Sequence, residues 1–301
     1  MLMDRIILFV LLSLFPNIIC AQYDSTYIAP FEQDFSIGIS PYYQFTMLTH
    51  TTDDKSTTYI PNTPVIIGLS SSYKNFSLIG GLRFDLLKNS EFGETKMMDW
   101  QFHYYGRKFI LDMFLRNYEG FYSHEDDETI ALYPDIKLLQ YSLYGQYIFN
   151  NKKFSYRAAF NQSERQLQSA GSFQLGSGFY FNHVSSNTSL SINEQNELNQ
   201  YQFCLSGGYV YTWIIKKDFH AALGASAGLN FGTENLNMEK IKVSPNIFPR
   251  VSIGYNAYNW SIAILFLMNR TYISNNIFFD TGYAKMSFIR RLDKYPKFLK
   301  R

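Results

Sequence analysis

The stretch from Asn199 to Phe231 reads NQYQFCLSGGYVYTWIIKKDFHAALGASAGLNF. In its first half Tyr201, Phe203, Leu205, Tyr209, Tyr211 and Trp213 share one parity, and Gln202, Ser206 and Thr212 share the other. After Lys216-Lys217-Asp218 the alternation resumes. Phe219, Ala221, Leu223, Ala225, Ala227 and Leu229 then oppose His220, Ser226 and Asn230. Successive side chains of a strand point to opposite faces, so this is a pair of strands, each with one apolar face, joined by a tight polar turn.

The same pattern recurs along the chain. Phe76, Leu78, Gly80, Leu82 and Phe84 oppose Ser77, Gly81, Arg83 and Asp85. Trp100, Phe102 and Tyr104 oppose Asp99, Gln101 and His103; Phe109, Leu111, Met113 and Leu115 oppose Asp112 and Arg116. Phe154, Tyr156, Ala158 and Phe160 oppose Ser155, Arg157 and Asn161 in the same way. Short polar breaks at Tyr73-Lys74-Asn75, Gly106-Arg107-Lys108, Asn151-Lys152-Lys153, Lys216-Lys217-Asp218 and Asn256 to Asn259 are each followed at once by an aromatic. Those residues are Phe76, Phe109, Phe154, Phe219 and Trp260. Aromatic rings favour the membrane–water boundary, so this repetition predicts a girdle at one end of a barrel. The other connections, roughly 47–58, 86–95, 120–134, 183–199, 232–246 and 270–276, are longer and more polar. Short turns at one end and long loops at the other mark an outer-membrane barrel, with the short turns periplasmic.

Candidate strands fall at 35–47, 64–72, 76–86, 95–105, 109–119, 135–149, 154–162, 170–182, 199–215, 219–231, 247–256, 259–270 and 277–290. This odd set conflicts with the even number of a single-chain bacterial barrel. Treating 154–182 as one crossing, with Gln162 to Gly171 bulging or folding inward, predicts an all-β fold: a closed antiparallel transmembrane β-barrel of about 12 strands. Fourteen strands follow if Gly207-Gly208 is a turn, although a glycine pair there fits a bent strand or close packing better.

The ends frame the barrel. Arg5, an apolar run from Ile6 to Phe15, and an exit at Ile18-Ile19-Cys20-Ala21-Gln22 describe a secretory signal peptide over 1–21. Lipidation of Cys20 is the alternative, against which Asn17-Ile18-Ile19 lack the usual small residues. Residues 22–34 read as a periplasmic extension, 35–292 as the barrel and 293–301 as a tail. Cys204 alone cannot form an internal disulfide in the mature chain, so the ladder of strand hydrogen bonds must hold the fold. A formal net charge of +2 is too weak for a nucleic-acid footprint. A mean hydropathy of −0.18 does not oppose a barrel, whose lipid-facing and lumen-facing residues alternate.

Several stretches carry a resemblance. They include Tyr59-Ile60-Pro61-Asn62, Gly93-Glu94-Thr95-Lys96 with Asp99 and Gln101, and Tyr118-Glu119-Gly120-Phe121-Tyr122. The most specific runs from Tyr147-Ile148-Phe149-Asn150 through Phe154-Ser155-Tyr156-Arg157-Ala158-Ala159-Phe160 to Glu164-Arg165-Gln166-Leu167-Gln168-Ser169-Ala170-Gly171-Ser172. Together they resemble a Bacteroidota outer-membrane family catalogued as domain of unknown function 4421. The resemblance implies residence in the outer membrane and carries no catalytic residues with it. It also falls where the strand count fails, which marks Glu164 to Ser172 as more than spare loop.

Charges on the presumed lumen face are Arg83, Asp85, Asp99, His103, Asp112, Arg116, Arg157 and Arg250, which Lys285 can join. The bland reading is a structural network of ion pairs; the functional one is a constriction that selects solutes by charge, its slight arginine excess favouring anions. Glu164, Arg165, Gln166 and Gln168 are too polar for lipid, so their segment, with Ser169, is expected to protrude above the barrel rim or fold into its mouth, there to pair with charges such as Arg83, Asp99, Asp112 and Arg116. A hydrolase would need a serine beside His103 and Asp99, and neither Ser172 nor Ser177 sits in a strand–elbow–helix setting. Glu125-Asp126-Asp127-Glu128 lacks the spacing of a calcium loop and reads as a solvated loop; the five histidines show no zinc spacing. No cofactor is implied. Two functions remain open: a narrow pore or transporter for small solutes or lipids, and a structural or interaction barrel with a filled lumen. Either would act as a monomer in outer-membrane lipid.

Overall fold

The computed structural model describes residues 23–51, 56–63, 65–84, 89–124, 129–187, 196–234, 241–274 and 277–293. Residues 1–21, Asp85 and the acidic run from Glu125 to Glu128 lie outside them. The strands in chain order are β1 (Ile28–Pro30), β2 (Phe35–Thr51), β3 (Ser56–Tyr59), β4 (Ile66–Tyr73), β5 (Phe76–Arg83), β6 (Lys96–Tyr105), β7 (Phe109–His124) and β8 (Ile130–Ile148). They continue with β9 (Glu164–Gln166), β10 (Ala170–Ser185), β11 (Glu197–Lys216), β12 (Phe219–Glu234), β13 (Lys242–Asn256), β14 (Trp260–Ser274) and β15 (Ile277–Leu292).

Twelve of these form one antiparallel ring: β2, β4, β5, β6, β7, β8, β10, β11, β12, β13, β14 and β15, the last pairing back onto the first. The closing ladder runs from Leu292 opposite Phe35 to Ile277 opposite His50. β4, β5 and β6 are short, and β3 fills the wall above them. It pairs with the far end of β2, and Ile60 bridges to Tyr122 of β7.

Parity decides the faces. Phe203, Leu205, Tyr209 and Trp213 are exposed outward, whereas Gln202, Ser206 and Thr212 are buried inside; Phe219, Leu223 and Leu229 likewise oppose His220, Ser226 and Asn230. Gly207 and Gly208 lie within the continuous β10–β11 ladder, so no turn forms there and the count stays at twelve. Outside the short-turn end the hairpins run further than the apolar alternation suggested. β7 continues to His124, β10 to Ser185, and β14 to Ser274. Beyond the lipid a ladder no longer needs an apolar face, so alternation fades while the hydrogen bonds continue.

The candidate strand 154–162 does not exist. The chain leaves the wall after β8 and returns at Ala170, and Arg157–Asn161 form a single wide helical turn ended by Gln162 at φ 55°. The aromatic alternation there marks a segment amphipathic against the barrel's interior rather than against lipid.

Leu205 faces outward near the middle of β11, opposite Leu229 of β12. Leu205→Arg should cost about 2–4 kcal/mol in urea unfolding from phospholipid vesicles. Ser206→Ala, one residue along and facing the lumen, should cost about 1 kcal/mol.

Candidate functional site: a plugged lumen

Inward residues from neighbouring strands fall opposite one another, and at mid-height the register lines up Asp99, Arg116, Gln140, Asn182 and Gln200. All five are at most 5% exposed. Arg116 donates to the Gln140 carbonyl at 3.2 Å, Gln140 to Asn182 at 2.9 Å, and Asn182 to Gln200 at 2.7 Å. Each amide donates in one direction and accepts from the other, so one chain of bonds satisfies groups that would each be costly to bury alone. The belt is tied across the lumen. Arg116 also donates to Thr281 of β15 at 3.3 Å, Gln44 of β2 donates to Tyr118 at 2.6 Å, and Tyr42 donates to Asp99 at 3.2 Å. Beneath it His103 Nδ1 lies 2.7 Å from Asp112, whose other oxygen is 3.8 Å from Arg250 on the opposite wall.

The short-turn mouth is filled by residues 149–169. Phe154, Tyr156, Ala159 and Phe160 are buried against Tyr105, Ile110, Val210, Ala222 and Tyr283 of the wall. Below this aromatic head, Glu164 is buried and accepts from Arg107 at 2.7 Å and from the Ser155 hydroxyl at 2.7 Å, with Arg157 at 3.3 Å. Arg107 stands in the turn between β6 and β7, so this cluster bolts the plug to the wall. Burial draws the Arg107 pKa down, and the Glu164 carboxylate pushes it back up. Gln166 donates to the Lys153 carbonyl at 2.6 Å and accepts from the Ser155 amide at 2.8 Å. On the far wall Arg291 donates to the Gln162 carbonyl at 2.6 Å.

The N-terminal segment is part of the same device. β1 pairs antiparallel with β9, Ile28 opposite Gln166 and Pro30 opposite Glu164. The Asp24 amide donates to Lys152 at 2.9 Å, and the Arg291 guanidinium lies 3.3 Å from the centre of the Phe31 ring. The Thr26 hydroxyl and then its amide hold the Asp24 carboxyl below its ordinary pKa.

The long-loop end is narrowed by apolar side chains. Leu48, Tyr59, Tyr118, Phe121, Leu138, Val184, Leu198 and Phe279 form one buried inner cluster. Between this cluster and the plug lie two adjoining cavities. One, of about 70 Å³, is bordered by Asp112, Arg116, Tyr144, Phe248, Arg250 and Asn269. The other, of about 50 Å³, is bordered by Ser70, Ser77, His103, Gln162, Tyr283 and Lys285.

Of the charges expected to share the lumen, Asp99, His103, Asp112, Arg116 and Arg250 come together. Arg83 lies at the rim, donating to the Thr95 carbonyl with Glu94 at 3.5 Å. Arg157 belongs to the plug, where it donates to Asn75 at 2.8 Å. The inward segment does not meet Arg83, Asp99, Asp112 or Arg116. It enters from the short-turn end, so its partners are Arg107 and Arg157, while Arg165 pairs with Asp218 at 3.6 Å and Ser169 accepts from the Ile214 amide at 2.9 Å. Phe76, Phe109, Phe219 and Trp260 each open a strand at the short-turn end, and Phe219 and Trp260 both pack as tilted rings against Tyr255. Phe154 is only 1% exposed and belongs to the plug, not to a girdle. Arg107 and Arg291 were missed. Arg107 reads as an ordinary turn residue, and Arg291 follows the last apolar alternation; only their partners across the mouth reveal them.

A ring of twelve strands with an apolar outside, a polar inside and a mouth filled by its own chain defines a transmembrane β-barrel with a built-in plug. A family model matches residues 22–289, and the chain belongs to that family, described as Domain of unknown function (DUF4421). No curated protein matches the chain. Among solved structures it is similar to the β domain of the Bordetella autotransporter BrkA, at 10% identity over 85% of this chain and 100% of that one, with a TM-score of 0.46. It is similar also to the translocator domain of autotransporter NalP from Neisseria meningitidis, at 10% identity, 85% and 88% coverage, and a TM-score of 0.41. For the outer membrane protease OmpT from Escherichia coli the values are 8%, 89%, 99% and 0.37. These scores are too low to bring anything of those proteins to this chain.

Glu164→Ala leaves two arginines without their shared acceptor, a loss of about 3 kcal/mol for a buried pair. It should raise hydrogen exchange over 153–168 while β7, β8 and β10 keep their protection. Uniform exchange across plug and wall would show that the cluster stabilises the whole barrel.

Proposed function

We propose that this protein is a bacterial outer-membrane conduit for small polar solutes, selective for anions, and that the plug is its gate. The observation that carries this reading is the polar space inside the barrel beside the plug, bordered by Arg116, Arg250 and Lys285. Three cations face Asp99 and Asp112, and Arg250 keeps 22% of its side chain open to the space. A charged constriction in a low-dielectric wall selects permeants by sign. The short turns, the plug and the N-terminal segment then face the periplasm, where a partner could reach them. Catalysis is not part of this reading. His103 is bound to Asp112 and stacked by Tyr105, with ring centroids 5.4 Å apart, which suits a fixed structural group.

The second reading, a permanently filled structural barrel, is favoured by how firmly Glu164 is held. Planar-bilayer recording separates the two. The full chain should show little conductance. Deleting 152–168 should open an anion-selective pore, and adding Arg250→Glu to that deletion should shift selectivity toward cations. Normal insertion with unchanged conductance would leave the structural reading.

A further inference from the structure

The wall has a seam between β13 and β14 at the height of the larger cavity. β13 and β14 are paired from Asn256 opposite Ser261 up to Arg250 opposite Leu267. Among the described residues no ladder joins the rest of β13, Lys242 to Pro249, to β14, although β13 stays paired with β12 as far as Lys242 and β14 with β15 through Tyr272. The cause is in the sequence. The Asn256 amide donates to Asp218 on the β12 side. Backbone groups alternate sides along a strand, so the odd-numbered residues of β13 point toward β14. Two of the four such residues beyond the ladder, Val243, Pro245, Ile247 and Pro249, are prolines. Proline has no N–H to offer, and Pro249 stands where the next bond would form. An open edge in lipid leaves backbone groups unsatisfied, and removing half the donors lowers that cost.

The seam opens onto chemistry. Phe248 and Arg250 of β13 and Leu267 and Asn269 of β14 line the larger cavity. Ile247 is exposed on the outside, and Pro245 and Pro249 share its face. Arg250 lies 5.4 Å from the Tyr156 and Phe160 ring centres, at the head of the plug. The nearest anion, Asp112, already binds His103. A cavity of about 70 Å³ has room for a carboxylate head beside Arg250. An aliphatic chain attached to that head meets Phe248 and Leu267, which border the cavity on the two sides of the seam.

We propose that the β13–β14 seam is a lateral passage for a single-chain amphiphile with a carboxylate head, which Arg250 receives while the tail lies between Phe248 and Leu267. This rests on the transport reading and names its substrate class and route: the amphiphile exchanges between the lumen and the long-loop leaflet.

The test is photolabelling of the full-length protein in lipid nanodiscs with a fatty acid bearing a mid-chain diazirine, the adducts being located by mass spectrometry. Adducts should concentrate on Ile247, Phe248, Leu267 and Met268. An excess of decanoate should abolish them, whereas acetate and decyltrimethylammonium should not. Arg250→Gln should lower labelling about tenfold, the loss of one charge-assisted contact. A staple, Pro249→Cys with Met268→Cys in a Cys204→Ser background, should block labelling when oxidised and restore it when reduced. Adducts spread over the outer face of all strands, competition by acetate, or equal labelling of the oxidised and reduced staple would each overturn the proposal. Failure here leaves the conductance result for the plug deletion standing. Seam labelling with a silent plug deletion would instead retain the lateral site and reject the solute pore.

Discussion

Everything in this molecule follows from the need of a chain in lipid to satisfy its own backbone. Hydrocarbon offers no partner for an N–H or C=O, so a sheet that spans it must close. Here β15 returns to β2, so the ring carries an apolar exterior with no free first or last strand. Closure at twelve strands has a consequence inside. Eight strands make a barrel that side chains can just fill, and twelve leave a lumen too wide for that. The chain supplies the missing volume from itself: 149–169 fold in from one mouth, and Leu48, Tyr118, Leu138 and Phe279 narrow the other.

The interior is polar because alternation puts every second residue there, and it is ordered because those residues meet in register. The belt from Arg116 to Gln200 works through the head-to-tail sense of its amides, each of which needs a neighbour on both sides. The plug obeys the same rule at its base, where a single carboxylate, Glu164, answers Arg107 and Arg157. Between belt and plug the pairing is looser. Arg250 is 3.8 Å from Asp112 and keeps an open side, and there the wall loses its ladder. A partly exposed cation and an unladdered stretch of backbone thus share one height.

The fold was largely legible. Phe203, Leu205 and Trp213 against Gln202, Ser206 and Thr212 state which side is lipid, and the faces follow with no knowledge of the neighbours. The plug was half legible. The surplus of candidate strands, and the polarity of Glu164 to Gln168, pointed to a segment outside the wall. Its true extent was hidden because Phe154, Tyr156 and Phe160 alternate as a strand would, although they serve an interior surface. Its partners were hidden for another reason: pairs such as Arg107 with Glu164 are set by which mouth the chain enters, a matter of topology that local pattern does not encode. The seam needed both sources. Pro245 and Pro249 are plain in the sequence, but only the direction of the Asn256 hydrogen bond shows that the lost donors face β14.

The central claim is that 149–169 occupy the lumen, and a buried alanine tests it directly. Ala159 is fully buried in the plug head and small enough to accept a thiol. In Ala159→Cys with Cys204→Ser, reconstituted in nanodiscs so that both mouths are open to solution, a charged maleimide should react only after the protein is unfolded. Rapid labelling of the folded barrel would place the segment outside the lumen and contradict the account.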